Sequence, residues 1–183
     1  MSARDRLLAL LVDRSFARTK IVLASGRESD FFIDCKQAVL TAEGHVLAGR
    51  LMLDAAVAGG AFDAIAGVEL GGCPLASAAS LISAQLGAPK DAVYVRKDAK
   101  DHGSKRQIEG DTRLLPGASL VILEDVTTTG GSTLKAVAKL RAAGYVVGHV
   151  VTLVDRLEGG REAIEAAGLR LDAIYSRRDF ITE

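Results

Sequence analysis

One stretch, Ser119-Leu-Val-Ile-Leu-Glu-Asp-Val-Thr-Thr-Thr-Gly-Gly-Ser-Thr133, limits the folds open to this chain more than any other. Residues 120–123 are short, β-branched-rich and apolar throughout, as a strand buried on both faces must be, while residues 134–143 have the composition and spacing of a helix. Between them, residues 127–133 offer hydroxyls and unobstructed backbone N–H groups at a helix N-terminus. There the unpaired amides and the macrodipole favour a dianionic phosphate. Glu124 and Asp125 stand at the carboxyl end of the strand, the edge at which open α/β sheets bind ligands, and carboxylates there accept hydrogen bonds from vicinal sugar hydroxyls. A phosphate beside a diol describes a ribose 5-phosphate. The stretch is not a Walker loop, since no Gly-Lys-Ser/Thr closes it, and it is not Gly-x-Gly-x-x-Gly.

The rest of the chain alternates around this unit. Residues 4–14 read as a surface helix with Leu7, Leu8, Leu11 and Val12 on one face. Residues 20–23 and 31–34 are short strand candidates flanking a Gly- and Ser-bearing turn, which predicts a hairpin outside the main sheet. Thr41 is a good N-cap for a helix to about residue 57, closed by Gly59-Gly60, and residues 65–68 supply a buried strand. The loop Glu69-Leu-Gly-Gly-Cys-Pro74 is a second strand-to-helix turn whose glycines leave amides accessible to an anion, with Pro74 in the first turn of a helix to about residue 86. After a strand at 92–95, residues 96–110 form a fifteen-residue polar segment with five Lys or Arg and one His against three acids. That is long for an α/β connection, and it points to a functional loop able to close over a pyrophosphate. A strand at 146–154, a helix at 161–167 and a strand at 169–175 follow, with Arg156 just past a strand's carboxyl end. A guanidinium there can hold a planar carboxylate or carbonyl pair. The alternation from residue 41 onward predicts a doubly wound, mainly parallel α/β sheet. The 183 residues then form one domain, to which residues 1–40 contribute a small hood lobe over the sheet's carboxyl edge.

Composition narrows the partners. Lys plus Arg and Asp plus Glu balance at 23 each, so no global field draws the chain to nucleic acid or to a membrane surface, and no apolar run reaches spanning length. Cys35 and Cys73 are the only cysteines and lack zinc or redox spacing. The N-terminus carries charges of both signs and no signal-peptide core, so a cytoplasmic protein with two reduced thiols is expected.

With these segments in hand, the chain resembles the orotate branch of the type I phosphoribosyltransferases over nearly its full length. The residues 124–132 look like that family's motif for phosphoribosyl pyrophosphate (PRPP), Arg96-Lys-Asp-Ala-Lys-Asp-His-Gly103 looks like its catalytic loop, and Asp155-Arg156 falls where the family binds orotate. The resemblance implies transfer of ribose 5-phosphate from PRPP, bound with Mg²⁺ held mainly by the substrate, to N1 of orotate, giving orotidine 5′-monophosphate and pyrophosphate in pyrimidine synthesis. It implies that Glu124 and Asp125 hold the ribose hydroxyls, and that Val126, Thr127, Thr128, Thr129, Gly130, Gly131 and Ser132 form the phosphate turn. Arg96, Lys97, Lys100 and His102 would meet the pyrophosphate, with Lys100, His102 and Asp125 catalytic. Thr128 and Arg156 would orient orotate. It further implies a homodimer whose 96–110 loop is shared across the interface.

Two positions depart from the pattern: many bacterial members carry Lys where Ala24 stands, and some carry Lys at Gly71. Lys36, taken to lie on the neighbouring strand, is the candidate to compensate. The competing readings are a purine phosphoribosyltransferase, which has no need of a carboxylate-binding Arg156, and a PRPP-binding regulator, which would keep the phosphate turn but dispense with the basic loop.

Overall fold

The computed structural model describes residues 1–19, 21–22, 28–97 and 106–181. Its centre is a six-stranded sheet of β5 (Ala64–Val68), β6 (Asp91–Val95), β7 (Ile108–Glu109), β8 (Ser119–Thr127), β9 (Val146–Asp155) and β10 (Arg170–Ser176), in the order β10-β9-β8-β5-β6-β7. All neighbours run parallel except β7, which pairs antiparallel with β6. Helices α3 (Ala42–Ala58) and α4 (Gly72–Gln85) cover one face, and α5 (Gly131–Ala142) and α6 (Gly160–Ala166) the other. This is the expected mainly parallel α/β architecture.

The alternation of side chains along β8 builds both cores at once. Val121 and Leu123 pack with Ile65, Leu75 and Met52 beneath α3 and α4, whereas Leu120 and Ile122 pack with Ala66, Ala136 and Leu140 beneath α5. Of these, every residue of β8 is at most 1% exposed, as a strand covered on both sides requires.

Several boundaries differ from the sequence reading, and each difference has a packing cause. Strand β8 continues to Thr127 because β9 runs beside it, pairing Glu124 with Thr152, Val126 with Val154 and Thr127 with Asp155. On its other side, β5 pairs with β8 only as far as Leu123. Residues 124–127 therefore have one hydrogen-bonded edge and one open edge. That opening lies where the chain's direction of winding reverses, between β8 and β5, the place at which such sheets hold ligands. Helix α5 begins at Gly131, three residues ahead of the expected start, which draws Ser132 and Thr133 into its first turn. The segment 96–110 is not loop throughout, because β7 returns alongside β6 and buries Ile108.

Helix α1 (Ala3–Arg14) starts at a capping box in which the Ser2 hydroxyl accepts from the Asp5 amide at 3.1 Å and the Asp5 carboxylate accepts from the Ser2 amide at 3.0 Å. Leu7 and Leu11 are buried, but Val12, on the expected apolar face, is 45% exposed. Beyond α1 lie β1 (Phe16–Ala17), β2 (Ile21–Val22), β3 (Glu28–Ser29) and β4 (Phe32–Ile33). The expected hairpin joined residues 20–23 to 31–34. Instead β2 pairs with β3 and β4 pairs with β1, forming two small sheets apart from the main one. The aromatic packing explains the outer pair: Phe31 is wholly buried, with ring centroids 5.2 Å from Phe16 and 5.6 Å from Phe180. A short helix α2 (Lys36–Val39) leads to α3, whose Thr41 cap accepts from the Gly44 amide at 3.0 Å.

Candidate active site

The open edge of β8 leads into a turn built to leave backbone amides unused. Gly130 takes φ 76° and serves as the N-cap of α5 without any side-chain capping bond. The amides of Gly131, Ser132 and Thr133 head that helix, where no preceding turn can accept from them. Thr127 is 1% exposed and its hydroxyl has no hydrogen-bond partner among the described residues, Thr128 is half-buried, and Thr129 and Ser132 are exposed. Thr128, Thr129, Gly131 and Ser132 of the predicted phosphate turn thus reach the surface, with the N-terminal end of the helix dipole behind them.

The two adjacent acids start on opposite sides of the sheet, as successive strand residues do, while their carboxylates still interact with each other. Glu124 points under α5, where its carboxylate accepts from the Thr133 hydroxyl at 3.0 Å and the Ser132 hydroxyl at 3.4 Å. Burial, reinforced by the charge of Asp125, pushes its pKa up to about 8. Asp125 points to the α4 side, half-buried, and accepts from the Val126 amide at 2.9 Å. A Cβ built on Gly71 would stand 1.9 Å from the Asp125 Oδ2, so that carboxylate occupies the space a side chain at 71 would need. This gives a physical reason for the departure at Gly71. Val126, half-buried, continues the strand between the acids and the turn.

The loop from β5 to α4 and the end of β6 form the neighbouring wall. The Glu69 carboxylate accepts from the Lys97 amide at 2.8 Å, and Arg96 donates its amide to the Gln107 carbonyl at 2.9 Å while pairing with Glu109 at 3.6 Å. Val68, Val95, Arg96, Lys97 and Ser132 line a cavity of about 280 Å³ between this wall and α5. Of the predicted site residues, Arg96, Lys97 and Ser132 therefore line one cavity. Lys100, His102 and Ala24 lie outside the described residues.

Arg156 sits just past β9, its amide donating to the Thr127 carbonyl at 3.0 Å. Its guanidinium is buried, with Nη2 donating to the Phe31 carbonyl at 2.8 Å and pairing with Glu158 at 3.0 Å. It also lies 5.5 Å above the Phe31 ring. Arg156 thus joins the phosphate turn to the segment carrying β4. Asp155 accepts from the Leu157 amide at 2.9 Å and faces Arg161 at 3.3 Å. Sequence reasoning missed Phe31, Glu69 and Glu158 as neighbours of the site. The Arg-x-Glu spacing was the only local signal, since the other two contacts cross long stretches of chain. Lys36 begins helix α2 rather than lying on a strand, because Phe32 and Ile33 end the pairing with β1. Its ammonium pairs with Asp34 at 2.6 Å, and that hydrogen bond raises its pKa, assisted by the charges of Asp34 and Asp125.

Comparison with known proteins agrees with this geometry. Residues 39–170 match the family described as phosphoribosyl transferase domain. The chain is 65% identical over 182 residues to the orotate phosphoribosyltransferase of Sorangium cellulosum, covering 100% of this chain and 95% of that one. It is 47% identical to the orotate phosphoribosyltransferase of a Bradyrhizobium species, covering 98% of both. Among solved structures, the Mycobacterium tuberculosis orotate phosphoribosyltransferase in complex with PRPP matches at a TM-score of 0.79 and 34% identity, over 98% of this chain and 99% of that one. A phosphoribosyltransferase from Corynebacterium diphtheriae matches at 0.83 and 34%, with the same coverage.

Proposed function

The chain belongs to the phosphoribosyl transferase family, and from that premise we propose that it is an orotate phosphoribosyltransferase, joining ribose 5-phosphate from PRPP to N1 of orotate with release of pyrophosphate. The observation that carries this reading is the junction at the β8–β5 opening of an uncapped helix start, a carboxylate on the open side and the cationic stem Arg96–Lys97. These supply the three things the transfer needs: a seat for the 5-phosphate, an anion beside the ribose, and cations beside the departing pyrophosphate.

When the anomeric bond breaks, the electron pair leaves with pyrophosphate and the ribose becomes cationic. Asp125 is placed to stabilise that cation, and Glu124, reached through Ser132 and Thr133, ties the ribose side to the helix that holds the phosphate. Arg96 and Lys97, together with Lys100 and His102, take up the charge on pyrophosphate. Thr128 and Arg156 orient orotate, Arg156 being fixed for that task by Glu158 and the Phe31 carbonyl. Mg²⁺ is usually held by one or two carboxylates together with substrate phosphates, and the half-buried Asp125 carboxylate fits that arrangement. Bound with PRPP, the ion would neutralise phosphate charge.

Both cysteines are free and buried, and no helix among the described residues is long and apolar enough to cross a membrane. A cytoplasmic reaction accords with both facts. The test is a coupled assay with Mg²⁺, PRPP and each base in turn: orotate is consumed, whereas adenine and hypoxanthine are not. Turnover of a purine instead would replace this reading with the purine one. The working unit is a homodimer in which Lys100 and His102 serve the partner's site. Mixing Lys100→Ala with Asp125→Asn protein then restores activity, because one site of a mixed dimer receives an intact loop and an intact carboxylate. A mixture no more active than its parents, with subunit exchange established, would place the loop on its own chain.

A further inference from the structure

Helix α5 does more than present the phosphate turn. Ser132, Lys135 and Lys139 recur along one of its faces at the i, i+3, i+7 spacing, and all three line the cavity against the ends of β5 and β6. At the far end of that face the Lys139 ammonium donates to the Arg96 carbonyl at 2.7 Å and to the Lys97 carbonyl at 2.6 Å. These carbonyls belong to residues that have just left the sheet. Their amides are already engaged elsewhere, Arg96 with the Gln107 carbonyl and Lys97 with the Glu69 carboxylate. The stem is consequently gripped from three directions: by the returning strand, by the loop after β5, and by α5.

The geometry points to Lys139 as a positioning residue that fixes the cationic stem Arg96–Lys97 at a set distance from the 5-phosphate seat. The inference rests on the functional reading above, in which those two cations face pyrophosphate. Lys139 stands eight positions beyond Gly131, about 12 Å of helix at the usual rise, so a single rigid rod carries the 5-phosphate seat at one end and the hold on the stem at the other. A reaction that pulls pyrophosphate away from C1 of a ribose anchored at its 5-phosphate depends on that spacing, because misplacing a reacting group by about 1 Å slows a reaction by up to about 100-fold. An ammonium suits the task. It carries several donors on one atom, and charge-assisted bonds to carbonyls are stronger than neutral ones.

The full-length protein with Lys139→Met tests this, since Met keeps an unbranched chain and removes the donors. The expected result is a fall of about 10- to 100-fold in kcat, the loss of a hydrogen-bonded charge from the stem, with the Kd for ribose 5-phosphate unchanged. Lys139→Arg recovers most of the turnover, because a guanidinium also donates to two carbonyls. Lys139→Gln, with donors but no charge, lies between. A role confined to holding the fold would weaken ribose 5-phosphate binding and thermal stability in step with turnover. That pattern would overturn the proposal, as would wild-type kcat in Lys139→Met or failure of Arg to rescue. The functional reading is judged separately, by the wild-type protein acting on orotate. The Lys139 proposal is judged by the variant-to-wild-type ratio of pyrophosphate release from PRPP with whichever base turns over.

Discussion

Two strand-to-helix turns face each other across the β8–β5 opening, and both carry a Gly-Gly pair, yet Gly131 differs from Gly71 and Gly72 in what surrounds it. In the turn after β8, Gly131 has open space around it: the nearest heavy atom to an added Cβ is the Thr129 hydroxyl at 3.8 Å. In the turn after β5, an added Cβ would stand 1.9 Å from the Asp125 carboxylate at Gly71 and 2.3 Å from the Leu123 carbonyl at Gly72. Gly131 leaves open space, whereas Gly71 and Gly72 let one part of the protein approach another; Gly130, at φ 76° with an added Cβ 3.1 Å from the Gly160 carbonyl, is also a packing glycine. The same residue type thus marks open space at Gly131 and close packing at Gly71 and Gly72. Only the neighbouring strand tells them apart.

The largest expected effect is at the β8 residue that meets the turn after β5. Asp125 lies within the open edge of β8 and fills the space over Gly71. Asp125→Asn keeps the shape and removes the charge, so the fold and the Gly71 contact survive while the cationic transition state loses an anion. A loss of about 2–4 kcal/mol in the barrier is expected, seen as a drop in kcat with unaltered denaturation midpoint. Turnover equal to wild type would remove Asp125 from the chemistry. Next in size is Gly71→Ala, which forces the same carboxylate to move by an ångström or so. Because the clashing atom ends a rotatable side chain, stability changes little while kcat falls by up to about 100-fold. A variant that is destabilised but fully active per folded molecule would show Gly71 to be a packing glycine and nothing more.

These two turns also show what could be read from the sequence. The phosphate turn was legible because its signals are local: an apolar run, then acids, then hydroxyls and glycines, then helical spacing. The mainly parallel, doubly wound sheet followed from the alternation of elements, whereas the antiparallel β7 did not. The start of Glu124 and Asp125 on opposite sides of the sheet was hidden, because it depends on β8 extending to Thr127, and that extension is imposed by β9. The clearance role of Gly71 was hidden for the same reason. Around residues 16–33 the turn-forming residues suggested a simple hairpin, but the burial of Phe31 among Phe16 and Phe180 set the outer pairing, and one of those rings lies near the end of the chain. Lys139 was equally illegible, since a lysine near the end of a helix ordinarily reads as solvated.

A smaller effect separates the buried acid from the open one. The folded-state pKa of Glu124 is raised to about 8 from an ordinary value of 4.5, so between these limits the folded protein binds a proton that the unfolded chain has lost. By linkage, this group lowers stability as pH rises from about 4.5 to about 8 and adds no further slope above that. Glu124→Gln removes the slope while keeping an amide that can meet the Thr133 hydroxyl. Denaturation of the ligand-free protein at pH 5 and pH 8 should show the variant gaining on wild type as pH rises. Parallel curves would mean that Glu124 is ionised in the folded protein despite its burial.

The smallest effect is the one that decides the comparison. Gly131 is the first residue of α5, in ordinary helical conformation with nothing closer than 3.8 Å to an added methyl, so Gly131→Ala removes unfolded-state freedom without strain. Such a change stabilises by about 0.4–1 kcal/mol. The added methyl nevertheless stands among the amides at the helix start, where a phosphate must come within hydrogen-bonding distance. The expected outcome is therefore a split: a slightly higher denaturation midpoint together with a raised KM for PRPP and a weaker Kd for ribose 5-phosphate. Gly71→Ala gives the contrasting pattern, with kcat lost and ribose 5-phosphate binding retained. If Gly131→Ala instead lost stability, or gained it with no change in phosphate affinity, the open space at Gly131 would have no ligand behind it, and its distinction from Gly71 would collapse.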